Sequence, residues 1–446
     1  MLFKLALGNV CRSARDFSIY FMTLAFAACL LYSFLASTDY LLALDLAVEQ
    51  RMAFAQAGGV LQAFAVFIDV IFCFLLGYAN AFLLRRRKRE FGTYLLLGIG
   101  RRHVATVLMA ECAAVGVASL VCGLLFGWLL SPAFSLVAAF VFGAPWRPVV
   151  VLSTPAAVQC AISFAVISAL AAVVTVRGVW KRPLVELMRR SAVPERRCLA
   201  GKAALAAQRV AAVALLGIVW GACLLNPGYF IVFIIPMGFM ALMGTYFLIR
   251  VLAARVPERL RSRVERYWTG LVPFTMRQLE ARAESGAMAM AAECVLLAAS
   301  MCMTVAGLAF SVGMRMGAPV EGADMLVPIA YACVFYGAAF LVAAAAVLAL
   351  QQLSRAADDE PAYRTLAVMG VEEGMRRASI RVQVGVCFAV PAVLVLVHCA
   401  FGFVLIGMLS IMMDSHGFLL FAGGAVLMTL GILALYYVAT VRACRR

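Results

Sequence analysis

Long, uncharged apolar runs recur from one end of this 446-residue chain to the other. Each run has roughly 20 residues, enough for an α-helix to cross the roughly 30 Å hydrocarbon core of a bilayer. Helices are required there because backbone N–H and C=O groups must pair internally in lipid. The chain is 65% hydrophobic and 13% charged, which excludes a soluble fold. We therefore predict an all-α, polytopic membrane protein.

We place about ten transmembrane helices in a 4+2+4 order. The predicted spans are Phe17–Ser37, Gly59–Leu84, Val104–Leu130, Val150–Val176, Val210–Leu225, Tyr229–Leu252, Ala287–Met314, Met325–Leu350, Val382–Ile411 and Gly417–Val441. The corresponding domains are a four-helix repeat at 1–180, a linker and helix pair at 181–273, and a second four-helix repeat at 274–446. Short interfacial helices are expected to lead into the two repeats at Leu5–Asp16 and Arg277–Glu284.

The basic residues indicate an orientation. With an even number of spans, every Lys and Arg except Arg51, Arg147 and Arg315 falls on the side that holds Met1. The positive-inside rule makes that side cytoplasmic, so both termini are predicted there. We therefore interpret the net charge of +16 as an orientation signal with affinity for anionic membrane lipid, and exclude nucleic acid as a partner.

The sequence carries no signature of an enzyme. Gly201 and Lys202 resemble a fragment of a phosphate loop but lack its earlier glycine and following Ser or Thr. His103, His398 and His416 lack metal-ligand spacing, and the 14 cysteines form no C-x-x-C pair. We expect no catalytic residues, metal or cofactor, and we interpret mid-span His398 as a hydrogen-bonded packing residue.

A segment between spans two and three recurs between spans eight and nine. The two copies run over Arg85–His103 and Asp358–Gly374. Setting Gly98 against Gly370 aligns further pairs: Phe91 with Tyr363, Tyr94 with Leu366, and Glu111 with Gln383. The matching positions between spans predict two repeats in parallel orientation.

Each copy predicts a short amphipathic helix that a glycine ends. Phe91, Tyr94 and Leu95 lie at i, i+3 and i+4 and would form one apolar face. Such a face suits a groove on a soluble partner, and resting on the membrane surface is the alternative. Gly98 is expected to end the helix before the next span begins near Arg101.

Three carboxylates fall inside predicted spans: Asp69, Glu111 and Glu293. A charge at mid-bilayer costs at least about 2.5 kcal/mol, so these groups should face protein or water. Asp69 is the deepest, either paired across the bundle or protonated and hydrogen-bonded. Glu111, early in its span, is expected to orient the preceding segment.

Arg86–Glu111 (RRKREFGTYLLLGIGRRHVATVLMAE) resembles the signature of FtsX-like ABC transporter permeases, and Gly8–Phe21 resembles the start of the bacitracin-export type. The resemblance implies a non-catalytic permease of the bacterial plasma membrane, driven by two copies of a soluble ABC ATPase subunit that bind the ATP. It implies mechanotransmission through ATPase-coupling residues: Glu90, Phe91, Gly92, Tyr94, Leu95, Gly98, Tyr363, Leu366 and Gly370. The second copy has Ala362 and Arg364 where the first has Glu90 and Gly92.

Relatives of this type protect bacteria from cell-wall-directed peptide antibiotics and often signal to a sensor histidine kinase. They do so through a large extracellular domain between spans seven and eight, where this chain has a short loop near Gly317–Asp324. For this chain the resemblance implies export or removal of a hydrophobic or amphipathic compound such as a peptide antibiotic. A signalling scaffold and an ion-driven secondary transporter stay open as alternatives.

Overall fold

The computed structural model describes residues 14–36, 52, 73, 77, 80, 83, 87, 90–142, 152–181, 202–261, 267–313, 316 and 327–443. Within these ranges the secondary structure is helical. The helices are α1 (Ala14–Leu35), α2 (Arg101–Leu129), α3 (Ser131–Phe142), α4 (Thr154–Lys181), α5 (Lys202–Leu225), α6 (Pro227–Val232), α7 (Ile234–Arg261), α8 (Val272–Leu308), α9 (Val327–Val368), α10 (Glu373–Met412) and α11 (Phe418–Ala443). A single π-helical turn, Ala309–Gly313, continues α8.

Seven of the described helices are long and apolar enough to cross a bilayer, and two more contain shorter apolar stretches, Tyr20–Ser33 and Ile329–Ala345. These nine coincide with nine of the ten predicted spans, which confirms a polytopic all-α fold. The remaining span, Gly59–Leu84, lies largely outside the described residues, and the count of ten and the 4+2+4 order stay predictions. The division into three domains likewise stays a prediction.

Two helices add detail to the predicted spans. Residues 131–142, which lie between two predicted spans, form helix α3, an apolar stretch with Ser131 buried at its start. Arg277–Glu284, expected to lead into the second repeat as an interfacial helix, is continuous with the following span in the 37-residue helix α8; its position at the membrane interface stays a prediction. No residue between Arg277 and the apolar part of α8 breaks the helix, because the intervening sequence holds neither proline nor a turn.

The chain divides into two compact units, one of Met1–Arg190 with Glu321–Phe335 and the other of Ser191–Val320 with Tyr336–Arg446. In the first unit, α1 packs closely on α2 at two glycines. A Cβ atom on Gly123 would lie 2.5 Å from the Ala25 carbonyl oxygen, and one on Gly127 would lie 2.6 Å from the Tyr32 ring. Small residues let helix backbones approach in this way, where apolar burial gives no driving force in lipid.

In the second unit, α8 and α10 share a core that includes Leu297, Met301, Phe388 and Cys399. The Ser300 hydroxyl donates to the Gly337 carbonyl oxygen at 2.6 Å, where α9 passes α8. These contacts fix the helices on which the second copy of the repeated segment lies.

Candidate functional site

The first repeated segment ends in a glycine turn. Its helix stops at Leu96, and Gly98 has φ +83°, a left-handed conformation that favours glycine. The Ile99 N–H donates to the Tyr94 carbonyl at 3.0 Å, and the Gly98 N–H donates to that of Leu95 at 3.2 Å. This pair of bonds is a Schellman motif. The prediction that Gly98 ends the helix before Arg101 is confirmed.

The second segment repeats this turn residue for residue. Gly370 has φ +82°, the Val371 N–H donates to Leu366 at 3.0 Å, and the Gly370 N–H donates to Ala367 at 3.1 Å. The next helix begins in the same way, because Glu372 has φ −56° and ψ 139° where Gly100 has −61° and 146°. The backbone therefore supports the alignment of Gly98 with Gly370. We refer to the two as the first turn (residues 90–103) and the second turn (residues 362–375).

The aromatic face of the first turn points into the protein. Phe91 is fully buried against Val104 and Leu108 of α2, and Tyr94 and Leu95 pack on the same cluster. Phe91 is therefore taken up within the chain, whereas Tyr94 and Leu95 stay half-exposed, and the hypothesis that these residues contact a partner stays a prediction. The short connection folds the segment back on α2, which takes up the apolar face. Gly92 is buried as well.

The exposed apolar residues lie at the tips of the turns instead. Leu96 and Leu97 are 59% and 75% exposed in the first turn, and Val368 and Met369 are 84% and 65% exposed at the equivalent positions of the second. We call these four residues the tip residues. Sequence reasoning missed them, although they follow directly from the alignment of the glycines.

A buried ion pair holds the first turn to α2. Arg87 and Glu111 are 1% and 0% exposed, and the guanidinium donates a hydrogen bond to the Glu111 carboxylate. Arg87 Nε also donates to Glu90 at 2.8 Å, and its Cζ lies 5.2 and 5.4 Å from the rings of Phe17 and Phe91. Burial lowers the pKa of Arg87, but the hydrogen bonds and negative charges of Glu111 and Glu90 together outweigh it, so that pKa lies above its ordinary value.

Arg87 was absent from the predicted site because it lies in an unbroken basic run, which is typical of a solvated surface. The sequence feature that could have identified Arg87 is its spacing from the aromatic residues that follow it. Arg87, Phe91 and Tyr94 lie at i, i+4 and i+7 on one helix face, and that face meets Glu111. Glu111 was expected to orient this segment, and its contact with Arg87 agrees with that role.

The second turn is anchored by neutral groups. The Ser379 hydroxyl lies 2.8 Å from the Tyr363 hydroxyl and 2.7 Å from that of Thr275, whose own hydroxyl donates to the Leu271 carbonyl. The Tyr363 ring also meets Phe274 edge-on at 5.6 Å. Gln383, the counterpart of Glu111, is buried, as is Leu366. The two turns thus share a backbone but differ in how they are held.

The other intramembrane polar residues do not join these turns. Asp69 lies outside the described residues, and Glu293 is buried within α8. His398 accepts a hydrogen bond from Trp220 Nε1 at its Nδ1 (3.2 Å), so its Nε2 carries the proton that reaches Thr245 Oγ1 at 2.9 Å. This hydrogen-bonded environment confirms the interpretation of His398 as a packing residue.

Helices of this length and polarity, joined by buried polar anchors, define a multi-pass α-helical membrane protein. Residues 62–183 match the FtsX-like permease C-terminal family, so the chain contains an FtsX-like permease domain. That range includes the first turn, its ion pair with Glu111, and helices α2 to α4. The family resemblance inferred from Arg86–Glu111 is thereby confirmed.

Three curated relatives share low identity with parts of the chain. The bacitracin export permease protein BceB of Halalkalibacterium halodurans is 25% identical over 163 residues, 36% of this chain and 24% of its own length. BceB of Bacillus subtilis is 23% identical over 128 residues, 29% of this chain and 19% of its own. The ABC transporter permease protein YxdM of Bacillus subtilis is 28% identical over 138 residues, 31% and 21% respectively. The matches thus cover less than a quarter of the length of each relative.

Proposed function

We propose that the chain is the non-catalytic, membrane-spanning permease subunit of an ABC transporter, with ATP bound and hydrolysed by a separate soluble ATPase. The observation that carries this proposal is the pair of equivalent turns, each ending in exposed apolar tip residues. Leu97 and Met369 are natural anchors for a shallow apolar groove on a partner, since exposed apolar side chains gathered at a protrusion mark interaction sites. Two tips on one chain account for two ATPase copies.

The turns suit the transmission of force. Each tip is followed after three residues by a long helix, α2 or α10, with its N-cap held in extended conformation. Because the connection is this short, a displacement of the tip also displaces that helix. In the first turn the Arg87–Glu111 pair adds a side-chain link between the tip segment and α2. We propose that closure of the ATPase pair moves α2 and α10 through these connections.

We propose a hydrophobic or amphipathic compound such as a peptide antibiotic as the cargo, because two of the relatives are bacitracin export permease proteins. Both chain termini would lie in the cytoplasm of a bacterial cell, where the basic segments and both turns also face. A signalling scaffold that relays the ATPase state to a sensor kinase is the alternative. It is favoured by the 13 or so residues of sequence between the π-turn and α9, too few for an outer domain.

The test is co-purification of the tagged chain with soluble ATPases from its own cell, followed by native mass spectrometry. The unchanged chain is expected to retain two ATPase copies, Leu97→Asp or Met369→Asp to retain one, and the double variant none. The matched control is Val256→Asp, an apolar residue 53% exposed in the charged segment at the end of α7. Failure of the unchanged chain to retain an ATPase, or full retention by the double variant, would refute the proposal.

A further inference from the structure

A cavity of about 500 Å³ lies where α7 ends and α8 begins. It is lined by Arg261, Tyr267, Trp268, Pro273, Phe274 and Arg277. These residues belong to one compact unit. The lining is unusual in a chain that is 13% charged, because two arginines and three aromatic rings converge on one space.

The first guanidinium of this cavity is held in place. Arg261 Nη2 lies 2.6 Å from Glu280 Oε1, and its Cζ lies 5.9 Å from the centre of the Tyr267 ring. A guanidinium has five N–H donors in a planar fork, so one carboxylate contact and one ring leave donors for an anion. Arg277, one turn before Glu280 on α8, supplies a second guanidinium that is exposed to the cavity mouth.

The position of Trp268 indicates which chemical class of anion this cavity suits. Its side chain is 71% exposed, and its ring meets Tyr267 edge-on at 5.3 Å. Tryptophan favours the boundary between headgroups and hydrocarbon. The apolar part of α8 begins at Gly286, about 14 Å along the helix from Arg277. The thickness of the headgroup layer and the length of an extended arginine side chain together cover the distance between Arg277 and Gly286.

We propose that this cavity binds the phosphate of an anionic phospholipid. Arg261 and Arg277 contact the phosphate oxygens, because arginine forks match them in bidentate geometry. Trp268 rests against the glycerol and upper acyl chain, which a free phosphate ion lacks. The site also adjoins the second turn, since Phe274 contacts Tyr363 and a Cβ on Gly270 would lie 3.9 Å from Met375 Sδ. Bound lipid would therefore brace that turn.

The test uses the full-length chain in nanodiscs of phosphatidylglycerol or of phosphatidylcholine, extracted into detergent and weighed by native mass spectrometry. The unchanged chain is expected to retain phosphatidylglycerol but not phosphatidylcholine. Arg277→Gln and Trp268→Leu should each lower that retention at least fivefold. Arg277→Lys, which keeps the charge but not the fork, should fall between. The matched control is Arg377→Gln, an exposed arginine of the same unit that pairs with Glu373 outside the cavity and should retain the lipid.

Thermal midpoints measured alongside should match the unchanged chain, which separates lost binding from lost folding. Equal retention of both lipids, or unaltered retention by Arg277→Gln and Trp268→Leu, would overturn the proposal. Displacement of the lipid by millimolar inorganic phosphate would overturn it in favour of a free-anion site. Displacement by an added acidic protein would overturn it in favour of a protein contact. None of these outcomes depends on whether an ATPase binds the tips.

Discussion

Removing the guanidinium of Arg87 is expected to destabilise the first unit strongly. Both members of its pair with Glu111 are at most 1% exposed, so solvent screens their attraction very little. At an effective dielectric of about 20, two charges about 4 Å apart attract by roughly 4 kcal/mol. Mutational data on buried pairs give about 3–5 kcal/mol when one partner is removed. Arg87→Met should therefore cost about 3–5 kcal/mol, a large fraction of the roughly 5–15 kcal/mol that holds a typical domain.

The assay is reversible unfolding of the purified chain in mixed micelles, with the free energy obtained from the denaturant midpoint and slope. The double variant Arg87→Met, Glu111→Leu should recover at least half of the loss, because no buried charge then needs a counterion. The control is Arg377→Met, which breaks an ion pair exposed at 54% and 63% and should cost no more than about 0.5 kcal/mol. A loss below about 1 kcal/mol for Arg87→Met, or no recovery in the double variant, would refute this reasoning.

Two further predictions concern packing within the membrane. Gly123→Ala should lower the thermal midpoint by several degrees, because the new Cβ would lie 2.5 Å from the Ala25 carbonyl oxygen. The control is Gly217→Ala, whose new Cβ meets nothing within 4 Å and should leave the midpoint unchanged. Equal midpoints for the two variants would count against the close approach of α1 and α2. His398→Leu should cost about 1–3 kcal/mol, measured by the same unfolding assay, since it leaves the Trp220 N–H without its acceptor. His398→Gln should restore part of that loss, and a Leu variant as stable as the unchanged chain would show that the hydrogen bonds contribute little.

The helical fold was predictable because lipid reduces the choices available to the chain. Apolar length alone located both ends of α2 and α11 within about three residues, since a segment in hydrocarbon must satisfy its own backbone. The glycine turns were also predictable, because only a left-handed residue ends a helix with the bonds seen at Gly98 and Gly370. Both signals are local in the sequence.

The sequence did not reveal which side of an amphipathic segment meets protein. Phe91 has the spacing of a docking face, yet it packs on Val104, because nothing local distinguishes a partner's groove from the chain's own next helix. Arg87 was hidden for a related reason, since one arginine in a basic run is buried only when a distant carboxylate meets it. The lengths of α8 and α10 were also underestimated, because charged residues at a helix end interrupt the apolar pattern without ending the helix.

Helix α10 has a mechanical consequence. Its 40 residues make a rod of about 60 Å, twice the thickness of the hydrocarbon core, with the second turn at its starting end. Pro391 lies about 27 Å along, and proline lacks the N–H that the ladder would use there. A force on the second turn should therefore displace the first half of α10 as a rigid body, and any bending of the helix should occur at Pro391. Pro391→Ala would make the helix stiffer at this position and extend the rigid part of α10 beyond residue 391.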